Sequence, residues 1–169
     1  MEQPVFGDRA AAPEVRPMMR EDIPLVARLF AELIVELRLE TGDPYLEFEG
    51  FPLLEMELSL EEDLRNPEAR VFVAEARGEV VGMAIGHVVN CFLPFSRVRR
   101  VGQVTAAYVQ STHRGRRLMT ELERHLVAFF REENLPYVEL HVLSANEIGR
   151  ATWRALGYST FREQMRKRL

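Results

Sequence analysis

Three arginines within four residues, Arg114, Arg116 and Arg117 in the stretch THRGRRLMTEL, stand where an amphipathic helix begins. A helix N-terminus is already positive and carries unpaired N–H groups, so further cations are disfavoured there unless an anion is present. Guanidinium groups bind phosphate oxygens through charge-assisted, often paired, hydrogen bonds. The strand AAYV, the loop QSTHRG and the helix opening near Arg116 therefore form a turn suited to a pyrophosphate. A solvated, arginine-rich surface is the competing reading of the same residues.

A second stretch, LHVLSANEIGRATWRALGY from Leu140 to Tyr158, runs strand, cap, helix, glycine, aromatic. This pattern resembles the GNAT superfamily of acyl-CoA-dependent N-acetyltransferases. The family's strand-loop-helix signature, a valine followed by an Arg or Gln and spaced small residues, matches Val109 and Arg114. The resemblance covers about Glu14 to Leu169, and its two separate motifs support each other. It implies acetyl-CoA as cosubstrate. The pyrophosphate would lie on Arg114, Gly115, Arg116, Arg117, Leu118 and Met119, and the pantetheine arm between two splayed strands. Tyr108 and Val109 would offer backbone groups to the arm and the thioester carbonyl, an oxyanion-type contribution. Asn146 would bond the pantetheine or fix the strand-helix turn, with Trp153 alongside.

The chain departs from the family pattern at Arg117 and Met119, where the signature has glycine and glycine or alanine. It departs again at Trp153, where many members carry a tyrosine that protonates the leaving thiolate; indole cannot donate that proton. Tyr158, one turn further on, suits the core; Tyr108, whose ring can turn either way, is the candidate phenol, and water or the departing ammonium proton is the alternative donor. The family's glutamate base near the start of the splayed strand falls at about Gln103. His141 occupies the place, five residues before the Asn, where other members have a glutamate, and imidazole suits proton removal at neutral pH. A strand histidine without a role is the alternative, and Glu75 is a further candidate. The implied reaction is direct attack of a neutral amine on acetyl-CoA in a ternary complex. The competing class is a CoA-binding or interaction module on the same fold that no longer transfers.

The elements that must position these residues follow from pattern. EVRPMM suits a strand; Val26, Phe30, Leu33 and Leu37 recur at helical spacing behind Glu21, Asp22 and Pro24. Ser59 with Glu62 makes a capping box for a second helix, and Ser144 with Glu147 another for the last. RVFVAEARGEVVGMAIGHVV is a hairpin turning at Ala76, Arg77 and Gly78, followed by the strand RVGQVTAAYV. Leu118, Leu122, Leu126 and Phe129 give the next helix one apolar face. YVELHVL is a strand, Gly157 a helix stop, and YSTFREQMRKRL a closing strand. The expected fold is α/β (α+β), a mixed and mostly antiparallel central sheet of about six to seven strands with helices on both faces. Residues 1–13 are expected to be a flexible tail, and 14–169 a single acetyltransferase domain.

With 169 residues, 47% of them hydrophobic, and a net charge of −4, the composition fits one globular domain and opposes a generic nucleic-acid binder. A single cysteine, Cys91, excludes an intrachain disulfide or a cysteine-rich zinc site. No histidine spacing suggests a metal. The absence of a leader pattern or a spanning apolar run leads to the expectation of a cytoplasmic protein without a membrane partner, with a homodimer through the final strands as a further possibility. From Glu36 to Asp63 there are ten carboxylates against Arg38 alone. A wall of that sign would attract a small-molecule or peptide amine acceptor in its protonated form, and solubilising two helices is its other reading. Tyr45, Phe48 and Phe51 in that stretch either line the acceptor mouth or seal the core.

Overall fold

The computed structural model describes residues 13–169; the tail expected over 1–13 falls, apart from Pro13, outside them. Five strands form one sheet in the order of the chain: β1 (Glu14–Pro17), β2 (Ala69–Ala76), β3 (Glu79–Asn90), β4 (Arg100–Val109) and β5 (Val138–Leu140). The first four are antiparallel neighbours, and β5 joins β4 in parallel. Helices α1 (Ile23–Thr41) and α2 (Leu53–Arg65) precede β2, α3 (Leu118–Glu132) connects β4 to β5, and α4 (Glu147–Ala155) follows β5.

The valine-rich run from Arg70 to Val89 becomes the β2–β3 hairpin. Its turn residues Arg77 and Gly78 both have positive φ, 55° and 79°, as a tight hairpin turn of matching twist requires. Alternation then divides the sheet into two faces. On one, Leu118, Leu122, Leu126, Phe129 and Phe130 of α3 pack over Ala84, Val88 and Val104. Gly86 and Gly102 lie directly beneath, where an added Cβ would come within 2.7 Å of Leu126 and 2.6 Å of Phe130. Only glycine lets α3 approach this closely, and each large apolar side chain so buried contributes roughly 1.5–3 kcal/mol. On the other face Val26, Ala27, Leu29 and Leu60 of α1 and α2 cover Val71, Val73, Met83 and Ile85.

The edge strand β1 is pinned by one buried carboxylate. Arg16 donates to Asp22 at 2.6 and 3.1 Å, Asp22 also accepts from the Met19 N–H at 2.8 Å, and Arg16 reaches Glu75 at 3.1 Å. Burial raises the Asp22 carboxyl, but the hydrogen bonds from Arg16 and Met19 and the nearby positive charge outweigh it and hold it below the usual carboxylate range.

Three expectations are corrected. YSTFREQMRKRL is not a strand: residues 158–169 make side-chain contacts to the body, such as Arg166 to Asp43 at 2.6 Å, and no ladder. Its exposed charges and Met165 and Phe161, exposed by 93% and 59%, offer no apolar face to bury. The sheet therefore has five strands among the described residues. Ser59 does not cap α2, which starts six residues earlier behind Pro52. Ser144 does not cap α4 either; Asn146 does, through Oδ1 to the Gly149 N–H at 2.7 Å. Gly157, with φ of 94°, stops that helix as expected, with the Tyr158 N–H returning to the Trp153 carbonyl. No helix among the described residues is long and apolar enough to cross a membrane.

Candidate active site

Two irregularities in β4 open the site. Ile85 faces Ala106 and Gly86 faces Val104, so Thr105 is an extra residue, a bulge that bends the strand. The parallel ladder with β5 consists of three pairs, ending at Val104 with Leu140. Beyond that pair β5 turns away, and the backbone of β4 up to Val109 has no strand partner on that side. A V-shaped gap results, its vertex at Val104 and Leu140 and its open end at the start of α3.

A cavity of about 390 Å³ occupies this gap. Ala107, Tyr108 and Val109 form one wall, Gly115 and the α3 start from Arg117 to Thr120 another, Asn146, Gly149 and Trp153 at α4 a third, and Leu33, Glu36 and Glu40 of α1 the last. Nine of the ten residues expected to contact the cofactor line it. The tenth, Arg116, does not.

The start of α3 is uncapped. Arg117 precedes its first turn with φ of 62°, in the left-handed region, and no side chain accepts from the free N–H groups that follow. This is the place where the family signature has glycine, and the backbone conformation explains why glycine suits it. The unpaired N–H groups of the first turn open onto the cavity, which makes that end an anion site. Asn146 fixes the facing helix instead: a Cβ on Gly149 would lie within 2.5–2.9 Å of its amide, so glycine is needed for this cap.

The arginines divide. Arg114 donates to the Val109 carbonyl at 2.9 Å and to Glu36 of α1, and its guanidinium stands 5.6 Å from the Tyr108 ring centre. It clamps the loop to α1. The Tyr108 hydroxyl donates to the other Glu36 oxygen at 3.1 Å; burial first and Glu36 second push this phenol up to about 12, so it keeps its proton. Gln110 reaches Glu32 at 3.2 Å. Trp153 packs edge-on to Tyr158, whose hydroxyl donates to Glu123 at 3.2 Å.

The two candidate bases lie elsewhere. His141 is exposed and outside the cavity lining, and its Nε2 accepts from Arg162 at 2.9 Å. Its accepting nitrogen is thus occupied. Glu75 is paired with Arg16 at the far edge of the sheet. Of the aromatic group, Phe51 stacks on Phe30 at 5.9 Å and Arg166 covers Tyr45, so they brace the α1–α2 connection outside the cavity wall. A larger cavity, about 640 Å³, lies behind β5 among Cys91, Tyr137, Tyr158 and Phe161 and contains none of the expected site residues. Among the described residues no group of three His, Cys, Asp or Glu is arranged to hold a metal ion.

A vertex opening onto an uncapped helix, on a sheet of four antiparallel strands and one parallel strand, is the arrangement that the sequence resemblance implies for an acyl-CoA-dependent transferase. Residues 33–158 match the model of the Acetyltransferase (GNAT) family, and the chain belongs to that family. No curated protein matches the chain. Among solved structures it is similar to a variant of the BH1408 protein from Bacillus halodurans, at 20% identity and a TM-score of 0.80 over 92% of this chain and 99% of that one. It is also similar to the aminoglycoside N-acetyltransferase AAC(6')-Iy in complex with CoA, at 16% identity and 0.78 over 98% and 99%. A third is a predicted acetyltransferase with acetyl-CoA from Clostridium acetobutylicum, at 18% identity and 0.75 over 92% and 96%.

Proposed function

We propose that this acetyltransferase-family chain transfers an acetyl group from acetyl-CoA to a primary amine, by direct attack in a ternary complex. The observation that carries the reading is the uncapped α3 N-terminus opening into the same cavity as the unpaired β4 edge at Tyr108 and Val109. The α3 amides, with Gly115, Arg117, Leu118 and Met119, receive the pyrophosphate, and Arg116 attracts it from outside the cavity. The pantetheine arm runs along the β4 edge toward the vertex, taking hydrogen bonds from the strand backbone. One such N–H polarises the thioester carbonyl. Asn146 and Trp153 form the opposite wall of the arm's channel. Tyr108, which keeps its proton, is the acid available to the departing thiolate, since the indole of Trp153 is not.

Glu36 and Glu40 give this cavity acidic groups on its α1 side. Glu36 is neutralised by Arg114, whereas Glu40 has no such partner among the described residues. A cationic acceptor, a polyamine, an aminoglycoside-like amine or a basic peptide, suits that field. In keeping with it, AAC(6')-Iy has been solved in complex with the bisubstrate analogue CoA-S-monomethyl-acetylneamine. The test is calorimetric titration with acetyl-CoA and CoA, followed by turnover on a panel of amines. Micromolar binding and thiol release with at least one cationic amine are expected. Binding without turnover would favour a module that keeps the cosubstrate and has lost transfer; no binding would overturn the reading.

A further inference from the structure

A carboxylate, an imidazole and a hydroxyl stand in hydrogen-bonded sequence beside the vertex, outside the cavity lining. Asp63 Oδ1 on α2 lies 2.8 Å from His87 Nε2 on β3, and His87 Nδ1 lies 2.7 Å from Thr105 Oγ1 on β4. A carboxylate only accepts, so Nε2–H donates to Asp63; in the neutral ring Nδ1 is then a lone pair, and the Thr105 hydroxyl donates to it. The Thr105 oxygen is left with free lone pairs on an exposed side chain.

Its place in the fold gives this arrangement a use. Thr105 is the bulged residue of β4 and the first one past the last β4–β5 pair, so it stands where the gap closes. His87, Gln103 and Glu139 are in register across β3, β4 and β5 and so share the face that carries α1 and α2. Glu139 is 6% exposed; its Oε1 lies 3.9 Å from Arg162, and its Oε2 has no hydrogen-bond partner among the described residues. An ammonium arriving on this face meets a carboxylate oxygen left unbonded on one strand and a hydroxyl held by an imidazole on the next. Gln103, at the family's base position, accepts no proton, and the His141 lone pair is taken by Arg162.

We propose that Thr105 and His87 deprotonate the acceptor amine, with Asp63 as the positioning residue behind them; this rests on the acetyltransferase reading above. The ammonium gives a proton to Thr105 Oγ1 as Thr105 passes its own to His87 Nδ1, producing a neutral amine and an imidazolium facing the Asp63 carboxylate. The amine then forms the C–N bond to the acetyl carbon while the C–S bond breaks. Tyr108 gives its proton to the thiolate and takes the second nitrogen proton in return, and the imidazolium releases the first to water.

The test compares two kinds of nucleophile with acetyl-CoA at pH 7: protonated amines (spermidine, kanamycin and a lysine peptide) and hydroxylamine, which is largely unprotonated and needs no base. Thr105→Val and His87→Gln are expected to lose about 100-fold more kcat/KM on the protonated amines than on hydroxylamine. Thr105→Ser should restore most of the loss, and Asp63→Asn should show the same selectivity to a smaller degree. In the ligand-free protein, nitrogen NMR should find the His87 ring protonated at Nε2 and bare at Nδ1. Equal losses on both nucleophiles, a ring protonated at Nδ1, or loss on His141→Gln with Thr105→Val intact would overturn the relay alone. Wild-type transfer to hydroxylamine but to none of the protonated amines would overturn it too. Failure of the wild type on every nucleophile would instead overturn the transferase reading beneath it.

Discussion

The N-termini of α3 and α4 face one cavity and are finished in opposite ways. Asn146 satisfies α4 from within, its side chain bonded to the Gly149 N–H. The start of α3 has no such group, and its approach runs through a residue in left-handed conformation. A cap is worth about 1 kcal/mol to a helix, so leaving one out has a stability cost that an anionic ligand offsets on binding. The capped end sets the geometry of the wall, and the uncapped end holds the charge.

Giving α3 its own carboxylate is the sharpest way to break the contrast. Thr120→Glu places an acid in the first turn, within reach of the free N–H groups. Calorimetry should find acetyl-CoA binding weakened by about 100-fold, while the melting temperature stays level or rises. Next in size is the third helix start, where Asp22 is already a buried carboxylate with a cation beside it. Asp22→Asn should cost about 2 kcal/mol in urea unfolding at neutral pH, because Arg16 loses the buried one of its two carboxylate partners and keeps only Glu75. The sign with pH follows from the lowered carboxyl: its contribution is complete above the unfolded-state value and is lost as pH falls through the lower folded one. The wild type should therefore weaken in acid more steeply than Asp22→Asn.

Asn146→Ala removes the α4 cap and should cost about 1 kcal/mol, with acetyl-CoA affinity reduced severalfold because the wall of the channel loosens. The smallest effect belongs to Arg117→Gly. Relief of a positive φ is partly offset by the greater freedom of glycine in the unfolded chain, so stability should rise by less than about 1 kcal/mol in the same unfolding assay.

What could be read in the sequence was whatever depends on spacing. Leu118, Leu122, Leu126 and Phe129 recur at the helical period and are all buried, and the Arg77–Gly78 turn announced the hairpin. The resemblance carried the cavity walls, since it was fixed by Val109, Arg114 and Asn146. Local patterns failed where a longer-range competitor won. The Ser59 and Ser144 boxes matched a capping motif, but α2 extends past the first, and Asn146 displaced the second. Arg114, set beside the phosphates by the resemblance, also ties the loop to Glu36, 78 residues away, and no spacing announces that pair. The chain from Asp63 to Thr105 was illegible for the same reason: it depends on a bulge that brings three elements together, and no spacing announces a bulge.

The three-pair ladder of β5 has a consequence for how the molecule opens. Everything after Leu135 is joined to the sheet's backbone by one short strand, whereas β2, β3 and β4 share long ladders. Amide exchange in the ligand-free protein should therefore separate into two tiers, with 138–155 exchanging through a local opening and the β2–β4 core only on global unfolding. A cosubstrate lying across the gap would tie the lower tier to the upper, so slowed exchange in α4 would report its arrival without any acceptor present.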